Sequence, residues 1–137
     1  MKEKIIFSCG TGKKLVSVCS SENLSPDTGY VQYRFGTREK VELSFPESQA
    51  HPGQFFTAGT LMYSGGGGTY MRFNKGTYSY VVYSGTGKGW DRQGVVVEKA
   101  GKLLSNITCK DASSAEMNSW IFEKIGIQKD AIGFEIP

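Results

Sequence analysis

The stretch "TLMYSGGGGTYMRFNKGTYSYVVYSG", residues 60–85, decides the fold. Three runs rich in tyrosine, β-branched and other apolar residues are parted first by four glycines and then by "NKG", a strong turn signal. Within each run the character alternates with period two. Tyr70 and Arg72 share one strand face and Met71 and Phe73 the other, while Tyr78 and Tyr80 share a face with Val82. Short alternating runs joined by tight turns predict antiparallel hairpins.

The same pattern extends outward in both directions. Towards the N-terminus, "EKIIFS" (3–8) and "LVSVCS" (15–20) read as a hairpin around "CGTGKK", and "YVQYRF" (30–35) and "VELSF" (41–45) as a second around "GTREK", with Pro46 closing the strand. The longest irregular segment is 46–59, in which Phe55 and Phe56 should tuck under or join a strand. Towards the C-terminus, "GVVVEK" (94–99) follows the turn "GTGKG", and "LLSNITC" (103–109) follows "AGK". The pattern then changes to a helix over "SSAEMNSWIFEKIG". Ser113 and Glu116 fit a capping box, Met117, Trp120, Ile121 and Ile125 form one apolar stripe, and Gly126 stands at the C-cap. Ile132, Phe134 and Ile136 alternate in the tail, as in an added edge strand. The expected fold is mainly β, an antiparallel sandwich or barrel of about eight to nine strands with one C-terminal helix. No helix crossovers separate the strands, so parallel pairing is not expected.

At 137 residues, with 39% hydrophobic and 21% charged residues, the chain suits a single β-rich domain over 1–137. Its net charge of +3 permits contact with an acidic surface without demanding it. No like-charge block suggests a nucleic-acid partner. No apolar run reaches the roughly 18 residues of a membrane helix, and no signal peptide is visible at the start. Either a cytoplasmic protein or a mature exported domain fits.

Known chemistries can be tested residue by residue. "GTGKK" and "GTGKGW" lack the upstream glycine and the following Ser or Thr of a phosphate-binding loop, and neither opens a helix, so both read as hairpin turns. His51 is the single histidine and lies in a loop, with no nucleophile elbow to accompany it. The three cysteines, Cys9, Cys19 and Cys109, match no zinc spacing. In a tight first hairpin Cys9 and Cys19 stand too far apart to bridge, so a disulfide runs more easily from Cys109 to one of the two, and it would imply an oxidising compartment. Three buried thiols would instead suit the cytosol. The carboxylates are scattered over turns and outer faces, without the apolar setting of a glycosidase pair. No cofactor and no metal is called for. "NIT" at Asn106–Thr108 matches a glycosylation sequon.

Aromatic and basic residues on strand surfaces suit recognition. Tyr70 and Arg72 beside the glycine run form the leading candidate face, read as the flank of a mobile hairpin tip. Ser64, Gly65, Gly68, Tyr78 and Tyr80 complete the candidate binding set. The succession "FSC…GKKLVSVC…YVQYRFG…VELSFP…GGGGTYMRF…YSYVVYSG…GVVVEKAGK…C" resembles small bacterial secreted or periplasmic β-domain proteins whose function as a group is unassigned, over about residues 5–110. In addition, "LMYSGGGGTYMRF" resembles the Ser/Gly-rich loop and aromatic strand of periplasmic lysozyme inhibitors, which would place Ser64, Gly65, Gly68 and Tyr70 at that family's binding loop. The run of four glycines departs from that family's loop. The expectation is a non-enzymatic, periplasmic or secreted protein that binds a protein partner, as an inhibitor or immunity protein of a cell-wall hydrolase or toxin. A carbohydrate-binding module using Tyr70, Tyr78, Tyr80 or Trp90 as sugar platforms is the alternative. An enzyme built on His51 with Cys9 or Cys19 is a third reading.

Overall fold

A computed structural model describes residues 3–110, 114–115, 117 and 119–137. The fold is mainly β, a sandwich of two sheets with one short C-terminal helix, as the alternation predicts. The first sheet is the meander β1 (Glu3–Gly10), β2 (Leu15–Ser21), β3 (Val31–Gly36) and β4 (Val41–Phe45). The second is the meander β5 (Phe56–Tyr63), β6 (Gly66–Lys75), β7 (Tyr78–Gly87), β8 (Trp90–Lys99) and β9 (Lys102–Thr108). The chain then returns to the first sheet, where β10 (Ser114–Ala115) pairs with β1. After helix α1 (Ser119–Ile125), β11 (Gln128–Lys129) joins the free edge of β5. That last pair is parallel, against expectation. The helix carries the chain past the sheet edge, so β11 need not enter by a hairpin.

Inward-facing residues of both sheets form one core. Phe73 of β6 is central: it stacks on Phe45 at 4.5 Å and on Tyr80 at 4.9 Å, and tilts against Tyr33 at 5.0 Å. Phe7, Val18, Val31, Met71, Val82 and Val95 are fully buried around it. Phe56 enters β5 and is buried, while Phe55 stays 40% exposed with its edge towards Phe45. Phe122, Ile125 and Ile127 close one side of the core from α1 and the turn that follows it. Gly126, with φ +75°, ends the helix where the sequence placed the cap. The expected capping residues Ser113 and Glu116 lie outside the described residues. The helix begins at Ser119, later than the predicted start, because Ser114–Ala115 are taken up by pairing with Phe7 and Ser8.

A disulfide joins Cys9 at the end of β1 to Cys109 just past β9 and so ties the two sheets. Backbone bonds flank it, from Cys109 N to Gln93 O at 2.8 Å and from Lys110 N to Gly10 O at 2.8 Å. The first hairpin turns over residues 11–14 and is bulged between Ile5 and Phe7, so Cys9 faces Val16 and Cys19 faces Ile5. Cys19 remains a buried free thiol.

The bridge closes a sequence separation of 100 residues, a large loss of freedom for the unfolded chain. The double variant Cys9→Ser/Cys109→Ser is expected to lose about 2–5 kcal/mol of stability. Urea unfolding with and without reductant checks this. Thiol titration of the native protein should find no reactive cysteine, and unfolding without reductant should release one, Cys19.

Candidate functional site

The glycine run is mostly strand rather than a mobile tip. Tyr63 pairs with Gly66, so the β5–β6 turn is only Ser64–Gly65, with Gly65 at φ +77°. Gly67 and Gly68 lie inside β6, opposite Thr86 and Gly85 of β7. A Cβ at Gly66 would come within 2.3 Å of Thr86 O, and one at Gly68 within 2.3 Å of Ser84 O. Close backbone approach, not loop freedom, is what requires these glycines.

Tyr70 and Arg72 do share a face, but it is not a surface. Both are buried, at 3% and 4% exposure, beneath the tail that follows β11. Asp130 is the reason. Its Oδ2 accepts from Tyr70 Oη at 2.9 Å, from Arg72 Nε at 3.2 Å and from Gly133 N at 3.1 Å, and its Oδ1 accepts from Thr57 Oγ1 at 3.2 Å. Arg72 also donates from Nη1 to Glu98 Oε1 at 2.9 Å and to Ser79 Oγ at 2.7 Å, and from Nη2 to Gly133 O at 2.8 Å. Beyond Asp130, Phe134 and Ile136 pack on Tyr70, Val81, Tyr83 and Val96, forming a second small core on the outer face of the sheet. The expected edge strand is therefore a strap across that face, and Ile132 alone of its alternating residues faces solvent, at 74% exposure. Burial by itself raises the Asp130 pKa, but the bonds from Tyr70 and Arg72 outweigh it and hold the carboxyl below its ordinary value. Tyr70 is pushed up to about 12 by burial and by its bond to Asp130.

The other expected site residues are dispersed. Tyr80 points inward and stacks on Phe73. Tyr78 is exposed at the far end of β7, with Lys99 over its ring at 5.4 Å. His51 is half-buried rather than a free loop residue: its Nδ1 accepts from Gly53 N and caps a short 3-10 turn (Pro52–Gln54), and its Nε2 bonds Ser25 O at 2.7 Å. With Cys9 bridged and Cys19 buried, the described residues assemble no cysteine–histidine pair. Among the described residues no cluster of metal-ligating side chains occurs, and no helix is long and apolar enough to cross a membrane.

What the topology does bring together is one end of the sandwich. The Cys9–Cys109 bridge sets Gly10 beside Lys110, so the turns 11–14 and 37–40 of the first sheet lie at the same end as turns 64–65 and 88–89 of the second. The last two turns are tied, because Lys88 N donates to Ser64 O at 3.1 Å. Trp90 folds over Gly87, where an added Cβ would meet its Nε1 at 2.2 Å. Tyr63 meets the Trp90 ring edge-on at 5.0 Å, and Arg92 stands over it at 5.4 Å. The strap ends here as well: Ile136 N donates to Tyr63 Oη at 3.2 Å, and Arg92 Nη1 donates to Pro137 O at 2.9 Å. Met62, which precedes Tyr63 and stands on the opposite face of β5, is 92% exposed. Ser64 and Gly65 therefore lie in the candidate site, while Tyr70 and Arg72 support it from below. Met62, Tyr63 and Arg92 were not singled out from sequence. The signal that could have found them is the pair of turns flanking Gly66 and Gly87, since a two-residue hairpin aligns the residues on either side.

Comparisons with protein-family models, with curated proteins and with solved structures find no match for this chain.

Asp130→Ala removes one partner of a buried ion pair and is expected to cost about 3–5 kcal/mol, read by chemical denaturation at neutral pH. Glu3 adds a second acid-sensitive site. Arg34 forks onto it with two bonds of 2.8 Å, and Tyr30 donates to it, so its pKa is lowered to about 2. Both carboxylates have depressed folded values. Their stabilisation is present above the ordinary carboxylate range near pH 4 and is lost as pH falls through the depressed folded values, for Glu3 towards about 2. Stability of the Glu3→Gln variant should fall less steeply over that range than that of the wild type.

Proposed function

We propose that the protein is a non-enzymatic, exported binding protein that grips a protein partner with the strand end carrying turns 64–65 and 88–89. An inhibitor or an immunity protein of a cell-wall hydrolase or toxin fits this reading. The observation that carries it is the tied double turn, which holds Tyr63, Trp90 and Arg92 in one stack on one face of this strand end, while Met62 stands 92% exposed on the other face. Aromatic, arginine and methionine side chains are those enriched at interfaces, and fixing them beforehand reduces the entropy lost on binding. The disulfide supports export, because such bridges persist in oxidising compartments. A sugar platform would need exposed rings side by side. Tyr78 and Trp90 stand at opposite ends of the β7–β8 hairpin, which favours the protein partner.

The test is affinity capture from periplasmic extract with the wild-type chain and with Met62→Asp, a solvent-exposed change that should leave the fold intact. A partner recovered by the wild type and reduced about tenfold or more in the variant is expected. Equal recovery of every partner would remove this end as the site, and a glycan-array hit lost in a Tyr78 or Trp90 variant would favour the sugar reading.

A further inference from the structure

The two motifs set aside as phosphate loops, "GTGKK" and "GTGKGW", come together at this same end of the sandwich. They bring a concentration of charge with them. Lys13 and Lys14 come from the β1–β2 turn, Arg38 and Lys40 from the β3–β4 turn, Lys88 and Arg92 from the β7–β8 hairpin, and Lys110 follows β9. Glu39, Glu42, Asp91 and Glu135, the last from the strap, are the carboxylates interspersed with them among the described residues. Seven cations against four anions equal the whole chain's net charge of +3, so the excess of positive charge is gathered at this end. At the opposite end the connections are balanced, with Lys75, Lys99 and Lys102 against Glu22, Asp27 and Glu47.

These cations are partly held in place. The Lys88 stem passes 3.2 Å from where a Cβ on Gly65 would stand, and the Lys110 stem 3.7 Å from the same position on Gly12. Arg92 is fixed between the Trp90 ring and Pro137 O. Lys14 is paired with Glu42. Glycines at the turns leave room for the lysine stems and keep the ammonium groups in water. A basic field around an apolar anchor attracts and orients an acidic surface before contact.

We propose that this end docks an acidic protein surface, with Met62 and the Trp90 stack on the two faces of the tied turns and the lysines and arginines around them. This rests on the protein-binding reading above and adds the chemistry of the partner. An acidic polypeptide is favoured over nucleic acid because Glu39, Glu42, Asp91 and Glu135 break up the cations, whereas a phosphate backbone calls for an uninterrupted basic track.

The experiment titrates the full chain with a soluble polyglutamate peptide while backbone amide shifts are recorded, in low salt and again at 0.15 M, with a DNA duplex as the competing probe. Shifts are expected at residues 11–14, 37–40, 64–65, 88–92 and 110, with binding weakened about tenfold or more as the screening length falls from about 30 Å to about 8 Å. The triple variant Lys13→Glu/Arg38→Glu/Lys88→Glu, all exposed, should lose about tenfold or more in affinity while keeping wild-type shifts elsewhere. Three results would overturn the proposal: no binding in low salt, shifts centred on Lys75, Lys99 and Lys102, or tighter binding of DNA than of polyglutamate at equal salt. Because the probe is not the natural partner, failure of the Met62→Asp capture leaves this result standing, and the two readings fail separately.

Discussion

A guanidinium on the outer face of a sheet would normally face water. Here Arg72 is 4% exposed, and its charge is met by Asp130 and Glu98. A buried cation is tolerated only when its donors are satisfied, and Asp130 is delivered by a segment nearly sixty residues further along the chain. Satisfying Arg72 therefore places the tail across the second sheet. Once there, the tail buries Tyr70, Tyr83 and Val96 and reaches Tyr63 and Arg92 at the turn end. One buried ion pair thus links the fold to the candidate site, with the strap as the mechanical connection.

The disulfide complements this link from the other side. It fixes the end of β1 against the end of β9, and that registration is what gathers turns from both sheets at one end. Between the two constraints lies the aromatic core around Phe73, which resists sliding of one sheet over the other. Rigidity matters for a recognition surface made of turns, because preorganised contacts lose less entropy on binding. The glycines serve the same end. Gly59 lets the Tyr70 ring lie flat on β5, and Gly85 leaves room for Ile136.

Period-two alternation made the nine long strands and their order legible, since a one-residue slip would turn every core residue outward. It also separated Tyr70 and Arg72 from Met71 and Phe73 correctly. Alternation says which residues share a face but not whether that face is covered, so an exposed Tyr70–Arg72 surface was the natural expectation and the buried clamp was invisible. Asp130 carries no local signal: it is one acid in a polar turn until the fold brings it to Arg72. The alternation of Ile132, Phe134 and Ile136 fits an edge strand and a strap equally well. The interior glycines held the missing clue, because a glycine inside a strand marks a place where something approaches closely. The candidate site was legible only at Ser64, Gly65 and Trp90, since its other members meet through pairing across β5–β6 and β7–β8.

The central claim is that the Asp130–Arg72 pair holds the strap and that the strap steadies the turn end. Amide hydrogen exchange on the full chain, wild type against Asp130→Ala, tests it most directly. The account predicts faster exchange at Gly133 and Ile136 and across residues 61–66 and 86–92, with the amides of β1, β2 and β3 unchanged. Unaltered protection of the strap and of both turns in the variant would contradict it.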